Sequence, residues 1–510
     1  MILTRSKKLT LNTLFSVINQ LTTILCGFIL PRMFLETYGS AVNGLQASIT
    51  QFLGFIALCE LGVGAVVQAA LYKPLATKNE QEISEIVCSS ERFFRKLGWI
   101  LVIYTISLMI FYPLLIKQEF GWLYTASLIL IISLSSFAMY FFGITYRLLL
   151  HADQMGFIQL GLHAICLILN TIVSVILMKC GYGIHLVKLI ASAFFIVQPV
   201  CLLIYVHKHY HINHKIILKT EPIKQKWNGI AQHISAYVLD GTDILVLTVF
   251  STLDNVSIYT IYNLITNGMR QLVTSLTVGA KATMGNMLAQ KEENTLNSFY
   301  ASFEWLMHTV TTFAFGMTGL LILSFVSIYT AGIEDTNYIV PTFAALFTLT
   351  QAAWCIRIPY TQMFLAAGHF KQTQTSSFIE AGLNLGLSIV LVFKYGLIGV
   401  AIGTLVAVSY RTCYLAWYLS KNILYRKLHH FVKQVLVDLL AACLMIVTAG
   451  PLQMGSVSYG SWVILACKTG IICLAVNIAV NWLFYRNELS KFTQHIFRRF
   501  SQIKLFPKWE

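Results

Sequence analysis

A chain of 510 residues with 57% apolar and only 11% charged side chains is not a set of water-soluble domains, which carry roughly a quarter charged residues. Its net charge of +15 sits in short polar connections between apolar stretches. That arrangement excludes a nucleic-acid footprint and reads instead as a topology and lipid-surface signal.

From the start, Met1 to Thr10 carries Arg5, Lys7 and Lys8 ahead of an apolar run over 11–35. The run is too long for a signal-peptide core and lacks a small-residue cleavage site, so it reads as a retained first span. Further stretches, each long enough to cross a hydrocarbon core of roughly 30 Å, follow at 41–71, 97–116, 122–150, 157–179, 183–206, 229–252, 256–289, 302–331, 338–367, 374–394, 397–420, 434–452 and 460–485. The predicted fold class is an all-α polytopic membrane protein of about fourteen transmembrane helices, because backbone groups in lipid must be satisfied within the segment. With the amino terminus placed in the cytoplasm, 26 of the 36 basic residues fall on the inner side. Only Arg32, Lys117, Lys179 and Lys394 fall on the outer side. Both termini are then cytoplasmic.

Charged residues inside spans cost from about 2.5 kcal/mol each and need a reason. Span two carries the stripe Asn43, Gln46, Thr50, Gly54, Ala57, Glu60, Gly64 and Gln68. Small residues there suit close helix packing. Glu60 is the exception, a candidate proton carrier or a partner for Arg270 or Arg357. After span six, His207, His209, His211 and His214 read as a solvated loop among lysines rather than as a metal or pH-sensing site. Span seven offers Asp240 and Asp243, with Tyr237 before them, as candidates for ion or proton coupling; salt-bridging to neighbouring cations is the competing reading.

Span eight gives the clearest pattern. Tyr259, Asn263, Asn267, Arg270, Thr274, Thr277 and Lys281 recur three or four residues apart, which is helical periodicity applied to polar side chains. On one continuous helix Arg270 and Lys281 would point the same way, roughly 16 Å apart, and line a hydrophilic cavity suited to anionic cargo. Snorkelling of Lys281 is the plainer alternative. In span ten, Arg357 precedes Pro359 by two residues, where a helix can break and line a cavity. Lys188, Glu380 and Arg411 are further intramembrane candidates.

The second half repeats the first at an offset of about 214 to 216 residues. Asn170 and Ser174 correspond to Asn384 and Ser388, Lys179-Cys180-Gly181 to Lys394-Tyr395-Gly396, and Tyr146 and Ala152 to Tyr360 and Ala366. An offset of six helices preserves orientation, so two parallel six-helix lobes are expected, over 1–210 and 229–420. Two additional helices over 434–485 and a basic amphipathic tail over 486–510, laid on anionic membrane lipids, complete the expected organisation.

The expected outer connections are short, which leaves little room for the acceptor of a membrane polymerase or ligase. There is no G-x-x-x-x-G-K-[ST] loop and no catalytic or metal-spaced cluster, so no enzyme activity, cofactor or metal is expected. Nine of the eleven cysteines lie within spans and no C-x-x-C pair occurs, as for buried small hydrophobes.

The stretch YGSAVNGLQASITQFLGFIALCELGVGAVVQAALYKPLA from Tyr38 to Ala76 resembles the start of bacterial polysaccharide flippases of the multidrug/oligosaccharidyl-lipid/polysaccharide exporter superfamily. So do DGTDILVLTVFSTLDNVSIYTIYNLI, from Asp240 to Ile265, and the Ala152-Asp153-Gln154-Met155-Gly156 turn. The resemblance implies a MATE-like fold, with two six-helix lobes facing each other in a V and two carboxy-terminal helices. It implies an undecaprenyl-diphosphate-linked oligosaccharide flipped across the bacterial cytoplasmic membrane for capsule, O-antigen or exopolysaccharide assembly. A polysaccharide polymerase and a chain-length regulator are the expected partners. The family has no strict motif for its site, so the expected central cavity rests on the polar stripe: Arg270, Lys281, Arg357, Asn263, Asn267, Tyr259 and Glu60. A cation-coupled drug exporter of the same fold, a peptidoglycan-precursor flippase and a membrane polymerase or ligase remain the alternatives.

Overall fold

The computed structural model describes residues 5–60, 63–116, 120–214, 241–277, 280–490 and 493–494. Asp240, Tyr237 and most of the expected membrane-surface tail lie outside the described residues. The chain falls into two compact units: Met1–Ile261 with Gly332–Thr336, and Tyr262–Ala331 with Asn337–Glu510.

The described residues form helices throughout. In the first unit these are α1 (Arg5–Gly54), α2 (Val63–Thr77), α3 (Glu80–Leu115), α4 (Trp122–Ala138), α5 (Ile144–Ala152), α6 (Gly156–Lys179), α7 (Ile184–His209) and the short apolar α8 (Gly241–Phe250). Then come α9 (Leu253–Ser275), α10 (Ala280–Ala289), α11 (Glu293–Tyr329), α12 (Pro341–Ile356), α13 (Ile358–Ala366), α14 (Phe370–Asn422), α15 (His429–Ala449) and α16 (Tyr459–Phe484). Each of the fourteen spans read from the sequence falls on helix, the seventh from Gly241 onward. Among the described residues nine helices are long and apolar enough to cross a membrane. Two of them, α1 and α14, hold two spans each, separated at Gly39 (φ 81) and Gly396 (φ 53). Both glycines occupy the left-handed region that side chains rarely adopt. After Gly39 the restarted helix is capped by Asp335, whose Oδ2 accepts from the Ser40 N–H at 2.6 Å and whose Oδ1 accepts from the Ser40 hydroxyl at 2.7 Å.

The internal repeat is visible in backbone detail. Helices start at Glu80 and Glu293 and end at Ala152 and Ala366. Left-handed residues precede or follow them at Lys78 and Lys291, Gln154 and Gly368, and Gly181 and Gly396. Ser174 donates to Asn170 Oδ1 at 3.1 Å, and Ser388 donates to Asn384 Oδ1 at the same distance. The offset stays between 213 and 215 at all of these places.

Interiors are apolar, as helix packing in a bilayer allows. In the first unit, Val67, Leu71, Val87, Leu101, Leu149 and Val206 are fully buried together. In the second, Met284, Met307, Cys355, Met363, Leu415 and Leu419 do the same. The two added helices, α15 and α16, pack against α11. Trp305 Nε1–H donates to Asn481 Oδ1 at 2.7 Å across that contact. Outward faces carry Val390, Phe393, Val447 and Ile471 exposed, the pattern of side chains that face lipid.

Within the first unit, the second half of α1 approaches α8 and the start of α9 very closely. A Cβ on Gly44 would fall 1.9 Å from the Leu253 carbonyl oxygen, so only glycine fits. Asn43 Nδ2–H donates to Ser257 Oγ at 2.8 Å, and Ser48 and Thr248 share a hydrogen bond at 2.7 Å. The small and polar residues of span two therefore hold helices together here, the packing role weighed in the sequence.

Candidate functional site

Helices break where the polar residues cluster. Span two is interrupted after the short 3-10 turn Phe55–Cys59, with Glu60 in the gap before α2. Span eight is interrupted between α9 and α10, where Thr274, Ser275, Thr277, Val278 and Gly279 all disfavour helix. Span four passes through a single π turn, Met139–Gly143, and span ten divides at Arg357 ahead of Pro359, which has no N–H to continue the ladder. Broken helices at membrane depth are tolerated where they are buried in protein or line a cavity.

A dense charge cluster lies in the second unit. Arg270, half-buried on α9, places its guanidinium 4.3 Å from the centre of the Trp354 ring, and its Nη1–H reaches Gln351 Oε1 at 3.5 Å. Arg357 lies 5.6 Å from the same ring. Arg357 donates to Glu380 Oε1 on α14, and Arg411, farther along α14, donates to Glu380 Oε2 at 3.3 Å. All three residues of this trio are nearly buried. One carboxylate is thus shared by two permanent cations, and the trio keeps an excess positive charge in a low-dielectric setting. Arg270 stands beside it on the shared indole, a stacking worth about 0.5–2 kcal/mol depending on desolvation.

The first unit answers with a balanced pair. Glu60 Oε1 accepts from Arg147 Nη2–H at 2.7 Å, and the Tyr140 hydroxyl reaches Glu60 Oε2 at 3.5 Å. Tyr140 is the repeat mate of Trp354. The sequence considered Glu60 as a partner for Arg270 or Arg357; the fold gives Glu60 to Arg147 and Arg357 to Glu380. Tyr259 and Asp243 come together instead, the hydroxyl donating to Asp243 Oδ2 at 3.1 Å in a buried setting. Lys188 lies over the Phe34 ring at 4.3 Å.

Asn263, Asn267 and Arg270 remain half-buried along α9. Lys281 departs from the expectation. It sits on the separate helix α10 and is exposed. The helix break interrupts the eleven-residue phase that would have put it on the face of Arg270, so snorkelling is the simpler account of its charge.

Sequence reasoning missed Gln351 and Trp354, although 351, 354 and 357 follow helical spacing along span ten. It also missed a buried network at one end of the second unit. Arg426 grips Glu304 with two parallel hydrogen bonds, Nη1 to Oε2 at 2.6 Å and Nη2 to Oε1 at 2.5 Å. His308 bridges Asp438 Oδ2 (2.6 Å) and the Tyr360 hydroxyl (3.1 Å). At the corresponding end of the first unit, Lys8 Nζ and the Tyr210 hydroxyl both donate to Asp153, at 2.9 and 2.6 Å. Burial, and then Asp153 itself, push the Tyr210 phenol up, so it stays a donor at neutral pH.

Known structures share this fold. Over 94% of this chain and all of the other, it superposes on a structure described as the lipid II flippase MurJ in an inward closed conformation, with TM-score 0.72 and 16% identity. An inward-facing MATE family multidrug transporter matches with TM-score 0.59 and 15% identity over 79% of this chain and 94% of that one. The Vibrio cholerae MATE transporter VcmN in its bent form matches with TM-score 0.53 and 14% identity over 86% and 99%. Neither a family model nor a curated protein matches the sequence. At these identities the likeness establishes the MATE-like membrane fold.

Proposed function

We propose that this chain is a flippase. It carries an undecaprenyl-diphosphate-linked oligosaccharide from the inner to the outer leaflet of the bacterial cytoplasmic membrane, by alternating access, for surface polysaccharide assembly. The observation that carries this reading is the charge cluster of the second unit: Arg357 and Arg411 share one carboxylate, Glu380, and Arg270 stacks on Trp354 beside them. A diphosphate is a dense dianion, and planar guanidiniums match its oxygens with paired hydrogen bonds. The sugar head group needs such a route, because each unpaired hydroxyl moved into hydrocarbon costs several kcal/mol. Asn263, Asn267 and the indole of Trp354 supply contacts of the kind sugars accept. Asp243, with Tyr259, is the carboxylate we assign to ion or proton coupling.

A cationic drug would meet repulsion at this cluster, which disfavours the drug-exporter reading. The likeness to a structure named as a lipid II flippase favours one second reading, a peptidoglycan lipid precursor as cargo. Depleting the protein in the cell that makes it separates the two. The first reading expects loss of surface polysaccharide with its lipid-linked unit accumulating on the inner leaflet while growth continues. Arrest of cell-wall synthesis with lysis would transfer the assignment to the second, and intact glycan with intact wall would overturn both.

A further inference from the structure

The repeat places two versions of one polar cluster at matching positions, and the difference between them points to a metal. In the second unit Glu304 of α11 is clamped by Arg426, a permanent cation that follows α14. In the first unit the equivalent carboxylate is Glu91 of α3, and the residue that reaches it after α7 is His214, with Nδ1 3.4 Å from Glu91 Oε2. That contact is longer than the roughly 2.7–2.9 Å of a charge-assisted hydrogen bond, unlike the close double grip of Arg426 on Glu304. Cys88 lies one helical turn before Glu91 on the same face of α3 and is buried. Its thiol donates toward the Asn213 carbonyl at 3.7 Å. The Cys88 sulfur, a Glu91 oxygen and a His214 nitrogen all lie within 4.8 Å of one another.

We propose that Cys88, Glu91 and His214 form a binding site for a borderline divalent metal ion of the zinc class. Thiolate, imidazole and carboxylate are the donors such ions take, at about 2.0–2.3 Å, which in a tetrahedron sets donor separations of about 3.4 Å. The surroundings fit a ligated carboxylate. The other oxygen, Glu91 Oε1, accepts from the buried Tyr146 hydroxyl at 2.7 Å, the kind of outer hydrogen bond that orients metal ligands. The Asn213 N–H is held by Ser84 Oγ at 3.1 Å, which fixes the backbone beside His214 against α3. His214 is the most exposed of the three, its side chain 41% accessible, so an ion enters past it and water completes the shell. Binding releases the thiol proton of Cys88. The bound ion replaces, in the first unit, the guanidinium that ties the same two elements together in the second.

The full chain, purified in detergent, stripped with chelator and titrated with Zn2+ or Co2+ alone, tests this. One tightly held ion per chain is expected, with a thiolate-to-cobalt charge-transfer absorption in the Co2+ form. Cys88→Ser should abolish that absorption. Glu91→Gln and His214→Ala should weaken binding by more than about 100-fold, and the outer-shell change Tyr146→Phe by about 10- to 100-fold. His211→Ala, a neighbouring histidine outside the cluster, should change nothing. Absence of a stoichiometric ion in the unaltered chain would overturn the proposal whatever the variants do. So would Co2+ absorption that survives Cys88→Ser, or binding that follows His211 instead.

Discussion

Cells carrying Arg270→Ala should hold the protein in the membrane at normal levels and show almost no surface polysaccharide. Arg270 is half-buried, and its guanidinium rests on Trp354 rather than on the carboxylate that balances Arg357 and Arg411. Truncation therefore removes a charge without exposing the Glu380 trio. Hydrogen bonds to a charged group contribute about 1.5–3 kcal/mol, so weakening of cargo binding by roughly 12- to 140-fold follows from tenfold per 1.4 kcal/mol. Arg270→Lys keeps the charge but loses the planar fork and should recover only part of the activity. Quantifying surface glycan beside membrane-embedded protein checks both. Normal glycan in Arg270→Ala would remove this residue from the cargo route.

Glu380→Ala should fail in a different way. It leaves Arg357 and Arg411 nearly buried with no counter-charge, and breaking a buried pair in this manner costs about 3–5 kcal/mol. The protein should lose its unfolding midpoint by many degrees, or disappear from the membrane. Arg357→Ala is the informative contrast. Glu380 then keeps Arg411, so the fold should persist while one of the cations proposed to bind cargo is lost. Thermal unfolding of the two purified variants in detergent separates them. Equal stability would show that the trio is no electrostatic unit.

Much of this architecture was legible in the sequence because lipid imposes it. Long apolar runs had to be helices, and each of the fourteen read from the sequence falls on helix, the seventh from Gly241 onward. The repeat was legible at Asn170 and Asn384, whose matching hydrogen bonds to Ser174 and Ser388 explain why those letters recur. Lys78 and Lys291 were not legible as turns, since lysine carries no turn signal and adopts its left-handed backbone for the sake of the helix starts that follow. Arg270 and Arg357 stood out as charges in apolar surroundings. Trp354, which joins them, did not, because an aromatic residue in a membrane helix is unremarkable until its neighbours are placed. The shared face of Arg270 and Lys281 was not legible, because helical phase does not carry from α9 to α10 and the Thr- and Ser-rich stretch before the break is a poor helix former. Glu304 and Arg426 escaped notice for another reason. Charges near span ends excite no suspicion, and their pairing joins residues more than a hundred positions apart.

Reconstitution of the purified chain into vesicles, with a polyprenyl-diphosphate oligosaccharide fluorescently labelled on the sugar, tests the cationic route itself. Protection of label from a membrane-impermeant quencher reports movement across the bilayer. We expect movement that requires the protein, that collapses in Arg270→Ala, and that is absent for a lipid of the same tail and sugar joined without the diphosphate. Equal transport of the diphosphate-free lipid, undiminished by Arg270→Ala, would show that these cations do not select the cargo.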